Sequence, residues 1–165
     1  MALVVSQPAI AAISDVPFVH QIREGCGSAA VAMVMQYWVR QTPGLDAAAS
    51  AAERIDRALR PKSGGLSGEA LRRYFEANGF SAYVFDGEIA DLRDHTSKGR
   101  PVIVCLGPAA RGELHFVVVA GVDADRVIIN DPARGKNIGQ PLAEFLREWK
   151  ASGDWALLAV PRPRP

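Results

Sequence analysis

The apolar residues of this chain recur at helical spacing up to about Lys98 and then switch to short β-branched runs, a change that narrows what it can fold into. After Cys26, the residues Ala29, Ala30, Met33, Val34 and Tyr37 repeat at helical intervals, while Val31, Met35 and Trp38 make the other side apolar too. Such a helix is expected to be buried round most of its circumference, at the centre of the fold. Pro101–Leu106, His115–Val122 and Arg126–Asn130 read instead as strands, the last two joined through Asp123-Ala124-Asp125 into an antiparallel hairpin. Helices first and strands later predict an α+β architecture, a helical subdomain packed on an antiparallel β-sheet.

Local signals set the remaining elements. Pro17 biases Asp15–Gln21 toward extended backbone ahead of the first helix, and Thr42-Pro43-Gly44 ends that helix. Asp46 is placed to cap a second helix through Ala48, Ala51, Ala52, Ile55 and Leu59, stopped by Pro61. A flexible Gly64-Gly65 turn leads to Ser67, the expected cap of a third helix carrying Leu71, Tyr74 and Phe75 and ending at Asn78-Gly79. Phe80–Phe85 reads as a strand, Glu88–Lys98 as a short helix with Ile89 and Leu92 inward, Pro141–Lys150 as helix and Trp155–Val160 as strand.

With 165 residues and 48% of them hydrophobic, the chain suits one domain, expected over residues 15–160. Residues 1–14 read as an N-terminal extension or the remnant of an export signal, since Ala9-Ile10-Ala11 suits a small-residue cleavage site although no basic leader precedes it. A signal remnant would make the protein exported or periplasmic; an extension would leave it cytoplasmic. Residues 161–165 form a Pro-rich tail. A net charge of +1 with unclustered Lys and Arg gives no footprint for nucleic acid. Two cysteines cannot build a disulfide framework and neither has zinc-site spacing, so no metal and no cofactor is expected. No apolar run reaches the ~20 residues a membrane span requires.

Chemistry concentrates at the start of the central helix. A thiol is a useful nucleophile as thiolate, and the first turn of a helix, with its unpaired N–H groups and positive dipole end, favours that form at Cys26. Thiol catalysis also needs a base, a group to orient the base, and donors for the oxyanion. His115 opens one hairpin strand and Asp131 lies just past the end of the other, so counting outward from the turn sets them side by side as base and orienter. Gln21 lies in the loop before the thiol, where its amide and the N–H of Cys26 would serve the oxyanion; Gly25 and Gly27 would let a substrate backbone approach. His20 and His95 compete as bases, the latter on a helix and facing solvent; Asn130 competes with Asp131; Cys105 falls inside a core strand.

Three blocks then carry a resemblance: Asp15-Val16-Pro17-Phe18-Val19-His20-Gln21, Cys26-Gly27-Ser28-Ala29-Ala30-Val31-Ala32-Met33-Val34, and His115-Phe116-Val117-Val118-Val119-Ala120-Gly121-Val122-Asp123 followed by Asn130-Asp131-Pro132. In this order they resemble the papain-like cysteine peptidases that process bacteriocin precursors after a double-glycine leader. The resemblance implies Cys26 as nucleophile, His115 as base, Asp131 as orienter and Gln21 in the oxyanion hole. It also implies a peptide or protein substrate, and leaves room for a separate exporter as partner, because the membrane-spanning exporter fused to many members has no counterpart here. Two other readings use the same residues: acyl transfer or amide hydrolysis on a small molecule, and a module that holds leader peptides without cutting them.

Overall fold

A computed structural model describes residues 12–62, 66–107 and 113–163. The export-signal reading of residues 1–11 and the Gly64-Gly65 turn fall outside these. Helix α1, Cys26–Gln41, has every residue from Ala29 to Met35 buried. Two polar ring atoms finish its seat, as Trp38 Nε1 donates to the Ala159 carbonyl at 3.0 Å and the Tyr37 hydroxyl to that of Gly99 at 2.7 Å.

The continuous second helix expected from Asp46 is interrupted. Asp46 accepts from the Ala48 N–H at 2.9 Å, yet it starts only a 3-10 turn, Ala47–Ser50, and the α-helix α2 follows at Ala52–Leu59. Gln36 of α1 donates its side-chain amide to the Ser50 carbonyl, and the Ser50 hydroxyl donates to that of Ala47. Both carbonyls are acceptors that a continuous helix would use for itself. Helix α3, Gly68–Ala77, is capped by Ser67 as expected, and Gly79, at φ +90°, turns the chain out of it.

Then come β1 (Phe80–Asp86), α4 (Ile89–Ser97), β2 (Val102–Leu106), β3 (His115–Val122), β4 (Arg126–Asp131), β5 (Gly135–Pro141), α5 (Leu142–Ala151) and β6 (Trp155–Pro161). The strands form one antiparallel sheet in the order β1-β6-β2-β3-β4-β5. One face packs on α1, α2 and α3 through Ile103, Cys105, Phe116, Val118 and Leu157. The other carries Val104, Val117, Val119, Ile129 and Leu158 against Leu92 of α4 and Phe145 and Trp149 of α5. Helices thus cover both faces, where the sequence suggested a helical layer on one, and this is why β2 and β3 read as unbroken apolar runs. No helix among the described residues is long and apolar enough to cross a membrane.

An irregularity in β3 decides where the hairpin sends its side chains. Near the turn Val122 pairs Val127 and Gly121 pairs Ile128, but farther out Val119 pairs Ile129 and Val118 pairs Asn130, so Ala120 is an extra residue, a β-bulge. The burial pattern agrees, for the α4–α5 face receives Val117 and Val119 before the bulge and Val122 after it. Without the bulge, Asp131 would stand across from Val118, and His115, of the other parity, would point to the opposite face of the sheet. With it, the register Val118 to Asn130, carried one residue on, sets Asp131 across from Val117, with His115, two residues along, its diagonal neighbour on the same face.

Strand β5 escaped the sequence reading because Ile138 is its single large apolar residue and Asn137 sits at φ +53°. Asn130 secures it. Its side chain is fully buried, its Oδ1 accepts from the Asn137 N–H at 2.9 Å, and its Nδ2 lies 3.5 Å from the Val16 carbonyl. Asn130→Ala should therefore lower the unfolding free energy by about 1–3 kcal/mol in urea titration, since it removes a fully buried side chain together with its bond to the Asn137 N–H.

Candidate active site

The site assembles where α1 begins and the β3–β4 ladder ends. Gly25 is the N-cap of α1; no side chain caps the helix and no acidic residue occupies its first turn. The helix's own first turn therefore sets no negative charge against its positive end beside Cys26. The His115 ring and the backbone N–H groups of Phe116 and Gly27 lie around the sulfur and favour its charged form. Phe116 had not been foreseen in this role; it follows His115 on the strand end that α1 touches.

His115 bonds Asp131 through Nε2 at 2.7 Å, which leaves Nδ1 for the thiol. The same Oδ1 of Asp131 also accepts from the Ala133 N–H at 2.9 Å, in the turn that leads to β5. Asp131 is buried, with 4% of its surface exposed, so this carboxylate is held by its partners rather than by water. A backbone bond of 3.0 Å from the Gln21 N–H to the Pro132 carbonyl ties the loop before the thiol to the residue after the carboxylate.

Electrostatics follow from this arrangement. Burial pushes the Cys26 thiol up, but the bonds from His115, Phe116 and Gly27, together with the imidazole charge, outweigh it and hold the thiol below its ordinary value. Burial likewise opposes a charged His115, yet the bonds to Asp131 and Cys26 raise its pKa to about 9. Burial would raise Asp131, and the bond to His115 more than offsets it. The three shifts share one sense: a thiolate beside an imidazolium backed by a carboxylate.

The other candidates separate clearly. Gln21 donates its side-chain amide to the Arg23 carbonyl at 2.7 Å, leaving one amide hydrogen uncommitted, while its buried Oε1 has no partner among the described residues. His20 is exposed and packs edge-on against Phe18. His95 is half-buried against Phe85, not solvent-facing as expected, and burial lowers its pKa. Asn130 faces Val16 and Asn137. Cys105 is buried, and that burial pushes its thiol up to about 11.

The two glycines answer to the protein's own packing rather than to an approaching substrate. A Cβ on Gly27 would lie 2.7 Å from Leu66 and 3.1 Å from Phe116; one on Gly25 would lie 2.9 Å from Asp56 Oδ1. Beside them opens a cleft of about 380 Å³, lined in part by Ile22, Gly25, Ser28, Asp56, Arg60 and Leu66. Asp56 and Arg60 were missed, although their four-residue spacing on a helix was a signal for an ion pair.

Comparison with known proteins places this geometry. The model of the Peptidase_C39 like family matches residues 13–157. The chain belongs to that family. Among curated proteins it is similar to the lactococcin-G-processing and transport ATP-binding protein LagD of Lactococcus lactis subsp. lactis, 28% identical over 152 residues. That match covers 88% of this chain and 18% of LagD, so the chain spans less than a fifth of that relative. Among solved structures, the peptidase domain of Streptococcus ComA, a bi-functional ABC transporter, aligns with a TM-score of 0.70 at 21% identity, covering 89% of this chain and 99% of that one. A double glycine motif protease from an AMS/PCAT transporter, in complex with its leader peptide, aligns with a TM-score of 0.67 at 24% identity, covering 90% and 94%. The fold is thus the papain-like one of these peptidase domains, and membership of the family puts the chain among the cysteine peptidases.

The pair makes a definite pH prediction. His115 binds its proton more tightly folded than unfolded, so its stabilisation is fully present below pH 6.5 and is lost as pH rises through about 9. Asp131, lowered from 3.8, contributes above that value and loses its contribution on acidification. The stability margin of the wild type over Asp131→Asn should therefore be widest between about pH 4 and 6.5 and narrow toward pH 9. In the same variant, NMR titration of the His115 ring should return its pKa toward 6.5.

Proposed function

We propose that this chain hydrolyses a peptide bond as a papain-like cysteine peptidase, with Cys26 as nucleophile, His115 as base and acid, Asp131 as orienter and Gln21 as an oxyanion donor. The observation that carries the reading is the His115 ring set between the Cys26 thiol at the start of α1 and the Asp131 carboxylate, which it bonds at 2.7 Å. The thiolate forms a bond to the scissile carbonyl carbon, and the displaced electron pair goes to the oxygen. The N–H of Cys26 and the uncommitted amide hydrogen of Gln21 serve that oxyanion. Its collapse breaks the C–N bond as His115 gives its proton to the departing amine, leaving a thioester. Water then attacks the thioester carbon as His115 takes a proton from it, the C–S bond breaks, and departure of the acid restores the thiolate beside the protonated His115. The carboxylate acts by keeping the ring oriented and charged.

The substrate class we propose is a leader or secreted precursor cut after a pair of small residues. Support comes from the relatives, whose names specify lactococcin G processing and a double glycine motif with a leader peptide. Since those relatives include transporters, a separate exporter is the partner proposed for this chain.

Cys26→Ala should lose at least about 10³-fold in turnover of a Gly-Gly-containing leader peptide while keeping the wild-type melting temperature. Undiminished cleavage by that variant would end the proposal. For the wild type, kcat/KM should rise with pH as the thiol ionises below 9 and fall again as His115 loses its proton near about 9. Iodoacetamide should label Cys26 faster than Cys105 at pH 7, read by mass spectrometry. A thiol that labels in a protein that cuts nothing would instead mark a binding module, and amide formed in the presence of a competing amine would mark a transferase.

A further inference from the structure

The cleft beside the nucleophile carries charge that the hydrolytic steps do not use. Its inner end is formed by Gly25 and Ser28, which bracket Cys26 in sequence, and its apolar walls by Ile22, Leu59 and Leu66. No residue of β3 or β4 lines it. That placement fixes which half of a substrate it would meet. The leaving amine takes its proton from His115 on β3, whereas the acyl half lies over the oxyanion donors of residues 21–26, the side on which the cleft opens.

Among the described residues, four charged ones line this space: Arg23 and Glu24 on the exposed loop, and Asp56 and Arg60 on and after α2. They balance in number but not in preparation. The Asp56 side chain is 12% exposed and is ion-paired with Arg60, whose side chain is 54% exposed. The buried carboxylate is thus occupied by the guanidinium, and the guanidinium keeps further N–H donors toward the opening. A guanidinium already held at one end loses less freedom when it takes a second carboxylate, and its planar fork suits one. Glu24, by contrast, stands on an exposed loop beside Arg23, whose backbone is left-handed at φ +55°.

We infer that Arg60, anchored by Asp56, is a specificity-determining residue that receives an acidic side chain of the substrate, a few residues to the N-terminal side of the scissile bond. The inference rests on the peptidase reading, and it narrows the substrate from any peptide with a small-residue pair to one with a carboxylate near it.

The test uses internally quenched peptides with one Gly-Gly cleavage site, carrying Glu, Gln or Lys in turn at the third to sixth residue before the cut. At one position the wild type should prefer Glu over Gln by about fivefold in kcat/KM, mainly through KM, and high salt should shrink the gap. In Arg60→Gln the Glu peptide should fall to the level of the Gln peptide; Arg60→Lys should keep part of the preference, and Arg60→Glu should turn it toward Lys. Because Arg60→Gln leaves Asp56 buried without its cation, the double variant Asp56→Asn with Arg60→Gln is measured beside it and should show the same loss. A preference for Lys, no charge preference at any position, or a Glu preference that survives Arg60→Gln would overturn the assignment. Anisotropy binding of the same peptides, fluorescently labelled, to Cys26→Ala separates the two levels. A Glu preference in binding without cleavage by the wild type would sink the peptidase reading and sustain the role of Arg60, while cleavage with no charge preference would do the reverse.

Discussion

The imidazole of His115 is held between two groups that both favour its charged form, a sulfur at the head of α1 and a carboxylate across the β3–β4 ladder. Neither contact exists without the other's scaffold. The helix has to begin at Cys26, and the ladder has to present His115 and Asp131 on one face. A single extra residue, Ala120, secures the second condition, because the register beyond it shifts by one and every side chain farther out changes sides. The site is thus a property of the ladder's register as much as of the three residues in it.

Around this pair the protein excludes solvent from two directions. Helices α1, α2 and α3 cover one face of the sheet and α4 and α5 the other, so the ladder that carries the site is rigid on both sides while its end stays open to the thiol. Burial alone would weaken both charged groups, and it is the hydrogen bonds that reverse the direction of each shift. This is the usual tension in an enzyme site. The environment that would neutralise an isolated charge strengthens a satisfied pair.

Much of this could be read from the sequence, for reasons that differ from residue to residue. The central helix showed in its all-round apolar pattern, and its start showed in a Cys-Gly pair preceded by glycine and followed by alanines. His115 and Asp131 showed in the hairpin count, although that count set them directly side by side, whereas they meet diagonally across a bulge that no residue type advertises. The break at Ala51 was hidden because its cause is Gln36, on another helix. Strand β5 was hidden because a polar edge strand has no alternation to detect, and its anchor, Asn130, works through a side chain. Gly25 and Gly27 were noticed for a substrate's sake and proved to be small for the sake of Asp56, Leu66 and Phe116, contacts that only the folded chain brings together.

The single backbone bond from Gln21 to Pro132 has a mechanical consequence. It splices the strap that precedes the nucleophile to the hinge that follows the carboxylate, two segments otherwise far apart along the chain. A displacement of that strap would pull on Pro132, the residue next to Asp131.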